Sequence, residues 1–146
     1  MTDETPATVG IVVVSHSSEL AEATVQLVAR LANLQPDQPP LLAAGGMEDG
    51  SIGTDAVRIA DALSAADRGA GVVVLADLGS AVLSTTTAID DILEPQLASR
   101  VRVSSGPLVE GTFIGAVQAS LGDSLEDVLA AANDAGSMDK LGDAGS

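Results

Sequence analysis

The sequence predicts an α/β domain: a doubly wound, mainly parallel sheet of strand order 2-1-3-4 with helices on both faces. Three observations predict it. Short apolar runs alternate with helical apolar patterns along the chain. Two of the runs, residues 9–14 and 71–76, are unbroken rather than alternating, as strands buried on both faces are. Each run ends in small, polar or glycine residues before the next helical face begins. With 146 residues, of which 46% are hydrophobic, the chain fills the core of one domain. That domain is expected over residues 1–135, with 136–146, small and polar, as a disordered tail.

The elements follow in order. Residues 9–14 are the first strand. Ser17 or Ser18 caps the next helix, and Leu20, Leu27, Val28, Leu31 and Leu34 recur on one of its faces. Gln35-Pro-Asp-Gln-Pro-Pro40 stops it. Residues 41–44 are a short second strand, and Gly45-Gly46-Met47-Glu48-Asp49-Gly50-Ser51-Ile52-Gly53-Thr54 is a flexible loop. Thr54 or Ser51 is expected to cap the second helix, whose apolar face holds Ala56, Ile59, Ala60 and Leu63. Asp67-Arg68-Gly69 ends it, and residues 71–76 are the third strand. Asp77-Leu78-Gly79-Ser80 leads into a helix carrying Val82, Ile89, Ile92 and Leu93, which Pro95 terminates. A short fourth strand, 101–104, precedes a helix over 109–121 with Ile114, Val117 and Leu121 at helical spacing. Ser124 caps the last helix, with Asp127 three residues on, and Leu125, Val128, Leu129 and Ala132 line its buried side.

This topology places the switch point beside the first strand, where ligands of open parallel sheets gather. It brings three strand-to-helix loops together and moves the only histidine, His16, toward Asp77. An imidazole has a nucleophilic nitrogen and a charge that changes near neutrality, and helix N-termini offer amides for an anion. The combination suits a phosphoryl group carried on His16; the alternative is a structural histidine or a polar cap. A carboxylate bonded to one ring nitrogen would orient the imidazole and free the other, the role suggested for Asp77. Its alternative is a helix N-cap. Ser17, Gly45, Gly46, Thr54 and Ser80 are candidates for phosphate contact; Ser80 suits a cap or a phosphate contact equally, and Thr54 suits a cap better than a ligand.

Composition excludes several classes. One aromatic residue, Phe113, leaves no platform for flavin or single-stranded nucleic acid. A formal charge of −15 repels nucleic acid and anionic membranes and favours protein partners with basic docking faces. No cysteine and one histidine give no zinc spacing, and no bound metal or cofactor is expected. There is no G-x-x-x-x-G-K-[ST] motif, no G-x-S-x-G elbow, and no G-x-G-x-x-G after the first strand. Met1-Thr-Asp-Glu-Thr-Pro lacks a basic region before an apolar run, so the cytoplasm is expected.

Val13-Val14-Ser15-His16-Ser17-Ser18-x-Leu20-Ala21-Glu22 resembles the active-site segment of mannose-type IIA domains of the bacterial phosphoenolpyruvate:sugar phosphotransferase system. Gly45-Gly46, Gly53-Thr54 with Ile59, Leu75-x-Asp77-Leu78-Gly79-Ser80-Ala81 and Pro107-Leu108-Val109-Glu110-Gly111 extend the likeness over residues 9–121. Ser-His-Ser and Asp-Leu-Gly-Ser-Ala stand where sugar-transporting relatives carry His-Gly and Gly-Gly-Ser-Pro. They favour the phosphocarrier subunits of phosphoenolpyruvate-dependent dihydroxyacetone kinase. The resemblance implies that His16 accepts phosphate from the carrier protein HPr and passes it to ADP held, with magnesium, in a nucleotide-binding kinase subunit. It also implies a homodimer, and phosphate donors on separate chains. A sugar-specific IIA domain and a non-enzymatic acidic interaction module are the competing readings.

Overall fold

The computed structural model describes residues 7–142. Its four strands, β1 (Gly10–Ser15), β2 (Leu41–Gly45), β3 (Val72–Ala76) and β4 (Val101–Val103), pair in parallel in the order β2-β1-β3-β4. The expected topology is found. Crossovers run through α1 (Ser18–Leu31), α2 (Ala56–Ala66) and α3 (Gly79–Thr87) with the short α4 (Pro95–Ala98), and α5 (Leu108–Ser120) and α6 (Leu125–Asp134) close the chain. Side chains alternate across the sheet. Val12, Val14, Val72 and Val74 pack with Ile59, Leu63, Ala81 and Ala88 on the α2/α3 face, and Ile11, Val73 and Leu75 with Val28, Ala116 and Val128 on the other.

Two helices present a different face from the one their large apolar residues suggest. In α1 the buried residues are Ala21, Thr24 and Val28, while Leu20, Leu27 and Leu31 are exposed. In α5 the buried stripe is Gly111, Thr112, Gly115, Ala116 and Ala119; Ile114 and Val117 are half-buried and Leu121 is exposed. Close approach is the reason. A Cβ on Gly45 would stand 2.5 Å from the Ser17 carbonyl oxygen and 2.9 Å from the Ala21 Cβ, and one on Gly111 would stand 2.7 Å from Leu75 Cδ1. Leucine on the inner faces would hold these helices off the sheet.

Three further local expectations are corrected. The cap of α2 is Asp55, whose Oδ1 accepts from the Val57 amide at 2.9 Å, and neither Thr54 nor Ser51. Asp55 holds the extended backbone directly before the helix, and a carboxylate suits the helix dipole better than a hydroxyl; Ser51 is bonded instead to Asp49. The helix after β3 does not run uniformly to Pro95. Thr85, Thr86 and Thr87 each return a hydroxyl bond to the carbonyl four residues back, and Ala88–Ile92 then widen into a π-helical turn with Leu93 N–H donating to Ala88 O. Pro95 opens α4 at its first turn, where its missing N–H costs nothing.

Arg100 closes the far end of α2 onto the approach to β4, gripping both oxygens of Asp67 at 3.0 and 2.6 Å. That bond lowers the Asp67 carboxyl's pKa against the opposing effect of burial. Past α6, Ala135–Ser137 form a 3-10 turn, and Lys140 pairs with Glu110 at 2.5 Å. Residues 1–6 and 143–146, on which parts of the leader and tail expectations fall, lie outside the described residues.

The close approach of α1 gives a direct test. Gly45→Ala should destabilise the fold by about 1–3 kcal/mol, because backbone has to move. Gly115→Ala, where the new Cβ meets nothing nearer than 3.5 Å, should be neutral or stabilising by up to about 1 kcal/mol. Urea unfolding of the two variants beside the parent chain measures both.

Candidate functional site

Three loops meet at the carboxyl edge of the sheet because β1 lies between β2 and β3. The ladder of β1 with β3 pairs Val14 with Ala76, so the next residues, Ser15 and Asp77, leave the sheet side by side on one face. Asp77 sits at the centre. Its Oδ1 accepts from His16 Nδ1 at 2.9 Å and from the Leu78 amide at 2.7 Å. Its Oδ2 accepts from the Ser15 hydroxyl at 2.9 Å and the His16 amide at 3.0 Å. Of the two roles open to Asp77, the structure has the ring pairing; the capping position of α3 belongs to Leu78.

Burial works to raise the Asp77 carboxyl. The bonds from the His16 amide and ring, the Ser15 hydroxyl and the Leu78 amide outweigh it, so its pKa lies below the usual carboxylate value. An ionised Asp77 makes Nδ1–H the donor and leaves the lone pair on Nε2. Nε2 faces outward, 2.5 Å from the Ser80 hydroxyl. The His16 side chain keeps 22% of its exposure and Asp77 13%, so a phosphoryl group can reach the ring while its partner is shielded. Ser80 lies in the first turn of α3, whose N-terminus has no side-chain cap. Its amides are placed to meet an anion.

The remaining predicted site residues divide. Ser17 caps α1, its oxygen accepting from the Leu20 amide at 3.1 Å; its proton stays available for an anion. Thr54 bonds the Ser84 hydroxyl at 2.6 Å and ties the second loop to α3. Gly53 N–H donates to the His16 carbonyl at 2.9 Å, which fixes that loop against the ring's backbone. Gly46 is not a free phosphate-binding amide: its N–H donates to the Ser15 carbonyl, and its φ of +71° marks a turn that favours glycine. Gly45 is required by the contact with α1. Ser15 and Ser84 were not singled out by sequence reasoning. The signal for Ser15 was available: a hydroxyl ending a run of valines, in register with Asp77. Among the described residues no three histidine, cysteine or acidic side chains gather as metal ligands, and no helix is long and apolar enough to cross a membrane.

Residues 10–129 match the model of the EIIA-man family, described as the PTS system fructose IIA component. The chain belongs to this family. Its relatives include the phosphoryl donor subunit DhaM of the phosphoenolpyruvate-dependent dihydroxyacetone kinase of Providencia stuartii, 39% identical over 83% of this chain. The chain spans only 25% of that protein's length. It covers 94% of a second such subunit, that of dihydroxyacetone kinase 2 of Listeria innocua, at 33% identity. This places the EIIA-man chain among the DhaM-type members, as its Ser-His-Ser and Asp-Leu-Gly-Ser segments suggested. A crystal structure of a protein of unknown function, EF1359, superposes with a TM-score of 0.74 at 32% identity, covering 87% of this chain and 94% of the other.

The lowered Asp77 carboxyl makes a pH prediction with a defined sign. A depressed folded pKa adds stability above the unfolded value of about 3.9 and loses it as pH falls through the folded one. Asp77→Asn should therefore cost about 1–3 kcal/mol at neutral pH. The difference from the parent chain should shrink on acidification below about pH 4. Chemical denaturation of both proteins across that range measures it, and comparing the pair cancels the parallel contribution of Asp67.

Proposed function

We propose that this chain is a phosphohistidine carrier that takes a phosphoryl group from HPr and delivers it to ADP bound in the nucleotide-binding subunit of a dihydroxyacetone kinase. The observation that carries the reading is the division of labour on the His16 ring, with Nδ1 on Asp77 and Nε2 turned out toward Ser80 and the open start of α3. The relatives named as phosphoryl donor subunits support the acceptor side.

The Nε2 lone pair attacks phosphorus in line as the bond from phosphorus to the donor's nitrogen breaks. The Nδ1 proton stays on the ring, and the positive charge that develops there faces ionised Asp77. Ser80 turns its hydroxyl from Nε2 to a phosphoryl oxygen. In the second transfer the Nε2–phosphorus bond breaks as a terminal phosphate oxygen of ADP bonds to phosphorus, and Nε2 recovers its lone pair. Positioning and electrostatics supply the catalysis.

The loops around His16, residues 15–18, 45–54 and 77–80, contain no lysine or arginine. Exposed Leu20, Ile52, Leu78 and Leu83 lie on or beside these loops. A partner that covers them and brings cations to the phosphoryl oxygens completes the site. Hydrolysis without a partner is then slow. A second reading, a IIA domain serving a mannose- or fructose-type sugar system, follows from the description of the matching family model and shares the chemistry up to the acceptor.

Incubation with phosphoenolpyruvate, enzyme I and HPr should add one acid-labile phosphoryl group, detectable by mass spectrometry, and His16→Ala should add none. Asp77→Ala should fold and take up phosphate about 10²-fold more slowly. No mass gain on the parent chain would remove the carrier reading. Transfer from the phosphorylated chain to an ADP-loaded kinase subunit, against a sugar-specific IIB protein, separates the two acceptors.

A further inference from the structure

We propose that Ser15 is a positioning residue for His16, its buried hydroxyl holding Asp77 in the orientation that leaves the Nε2 lone pair free. The inference rests on His16 being a phosphoryl carrier and adds a residue to that reading. Ser15 is the last residue of β1 and is wholly buried, a polar side chain at the end of an apolar strand. Its oxygen accepts from the Ser17 amide at 3.0 Å and lies 2.9 Å from Asp77 Oδ2. An amide can only donate, so the single hydroxyl proton is directed to the carboxylate. The result is a chain of donors from the Ser17 amide at the cap of α1 through Ser15 to Asp77, the acceptor on which the ring's Nδ1–H also converges.

The other two fixed donors to Asp77 are the amides of His16 and Leu78. Both belong to the loops that the carboxylate itself organises. Ser15 alone anchors the carboxylate through a side chain rooted in the sheet. Without it, Oδ2 keeps one donor, the carboxylate gains freedom to rotate, and the ring loses the constraint that selects Nδ1–H. Ser15 touches neither nucleophile nor phosphate, so its effect on transfer runs through the ring's tautomer.

The single histidine makes this measurable, since every imidazole nitrogen signal in a ¹⁵N NMR spectrum belongs to His16. In the parent chain the neutral ring should be predominantly Nδ1–H. Ser15→Ala should raise the Nε2–H share about threefold or more and lower the phosphoryl uptake kcat about tenfold, with the KM for HPr unchanged. Ser15→Thr should restore both. A Ser15→Ala protein with the parent's tautomer and rate would overturn the proposal. Should Ser15→Ala not fold, Ser15→Cys, a weaker donor of similar size, should shift the tautomer in the same direction, and a parental spectrum there overturns it equally. The tautomer is read on unphosphorylated protein. A parent chain that takes no phosphoryl group therefore defeats the carrier reading, while the tautomer comparison still decides the role of Ser15.

Discussion

One carboxylate joins the two strands that the site is built on. Asp77 follows β3, yet three of its four bonds go to Ser15 and His16 at the end of β1. A half-buried carboxylate with fewer donors would be costly. With four, it stays ionised and becomes a rigid junction between two loops that the sheet places side by side. The imidazole inherits that rigidity. Its backbone is held by Asp77 on one side and by Gly53 on the other, and its ring by Nδ1. The outward nitrogen is therefore placed by the fold itself rather than by a ligand, as the proposed carrier role would require of a group that meets a donor and then an acceptor.

The same sheet explains where the large apolar residues went. A parallel sheet covered on both faces needs helices close to it. Here α1 and α5 approach through alanine, threonine and glycine, and the Cβ positions denied at Gly45 and Gly111 mark how tight that contact is. Valine, isoleucine and leucine of the strands and α2 fill the core, so Leu20, Leu27 and Leu31 on α1, and Leu121 just after α5, are released to the surface. The contact at Gly45 also sets the site: it seats the first turn of α1, with Ser17, directly against the end of β2. Packing and chemistry are thus fixed by one close approach.

This is also why the sequence was legible in part. Strand positions, their order and the meeting of His16 with Asp77 follow from unbroken valine runs and the handedness of crossovers, which are strong, general constraints. The inner faces of α1 and α5 were not legible from hydrophobic periodicity. Periodicity ranks residues by size and polarity, whereas these contacts select for smallness. The cap at Asp55 and the π-helical turn after Thr87 depend on competition between neighbouring side chains for the same backbone groups. Ser15 was readable only with the register of β1 and β3, because a serine after valines is ordinary until Asp77 stands opposite it.

The charge of the chain bears on the chemistry as much as on solubility. A net −15 spread over a surface with no cation in the loops around His16 gives a phosphoryl group no electrostatic home of its own. Amide dipoles and hydroxyls can hold the anion in place, but they stabilise developing charge less than a guanidinium or a metal ion would. Water attacking the phosphorylated ring would meet that same deficit. On the proposed carrier reading, a docked protein with a basic face, drawn in by the acidic surface and seated on exposed leucine and isoleucine, would remove it only for the duration of contact. An incomplete site is what would make the proposed phosphohistidine a carrier rather than a phosphatase intermediate: the barrier would fall when the proper acceptor is present, and the energy of the nitrogen–phosphorus bond would be kept until then.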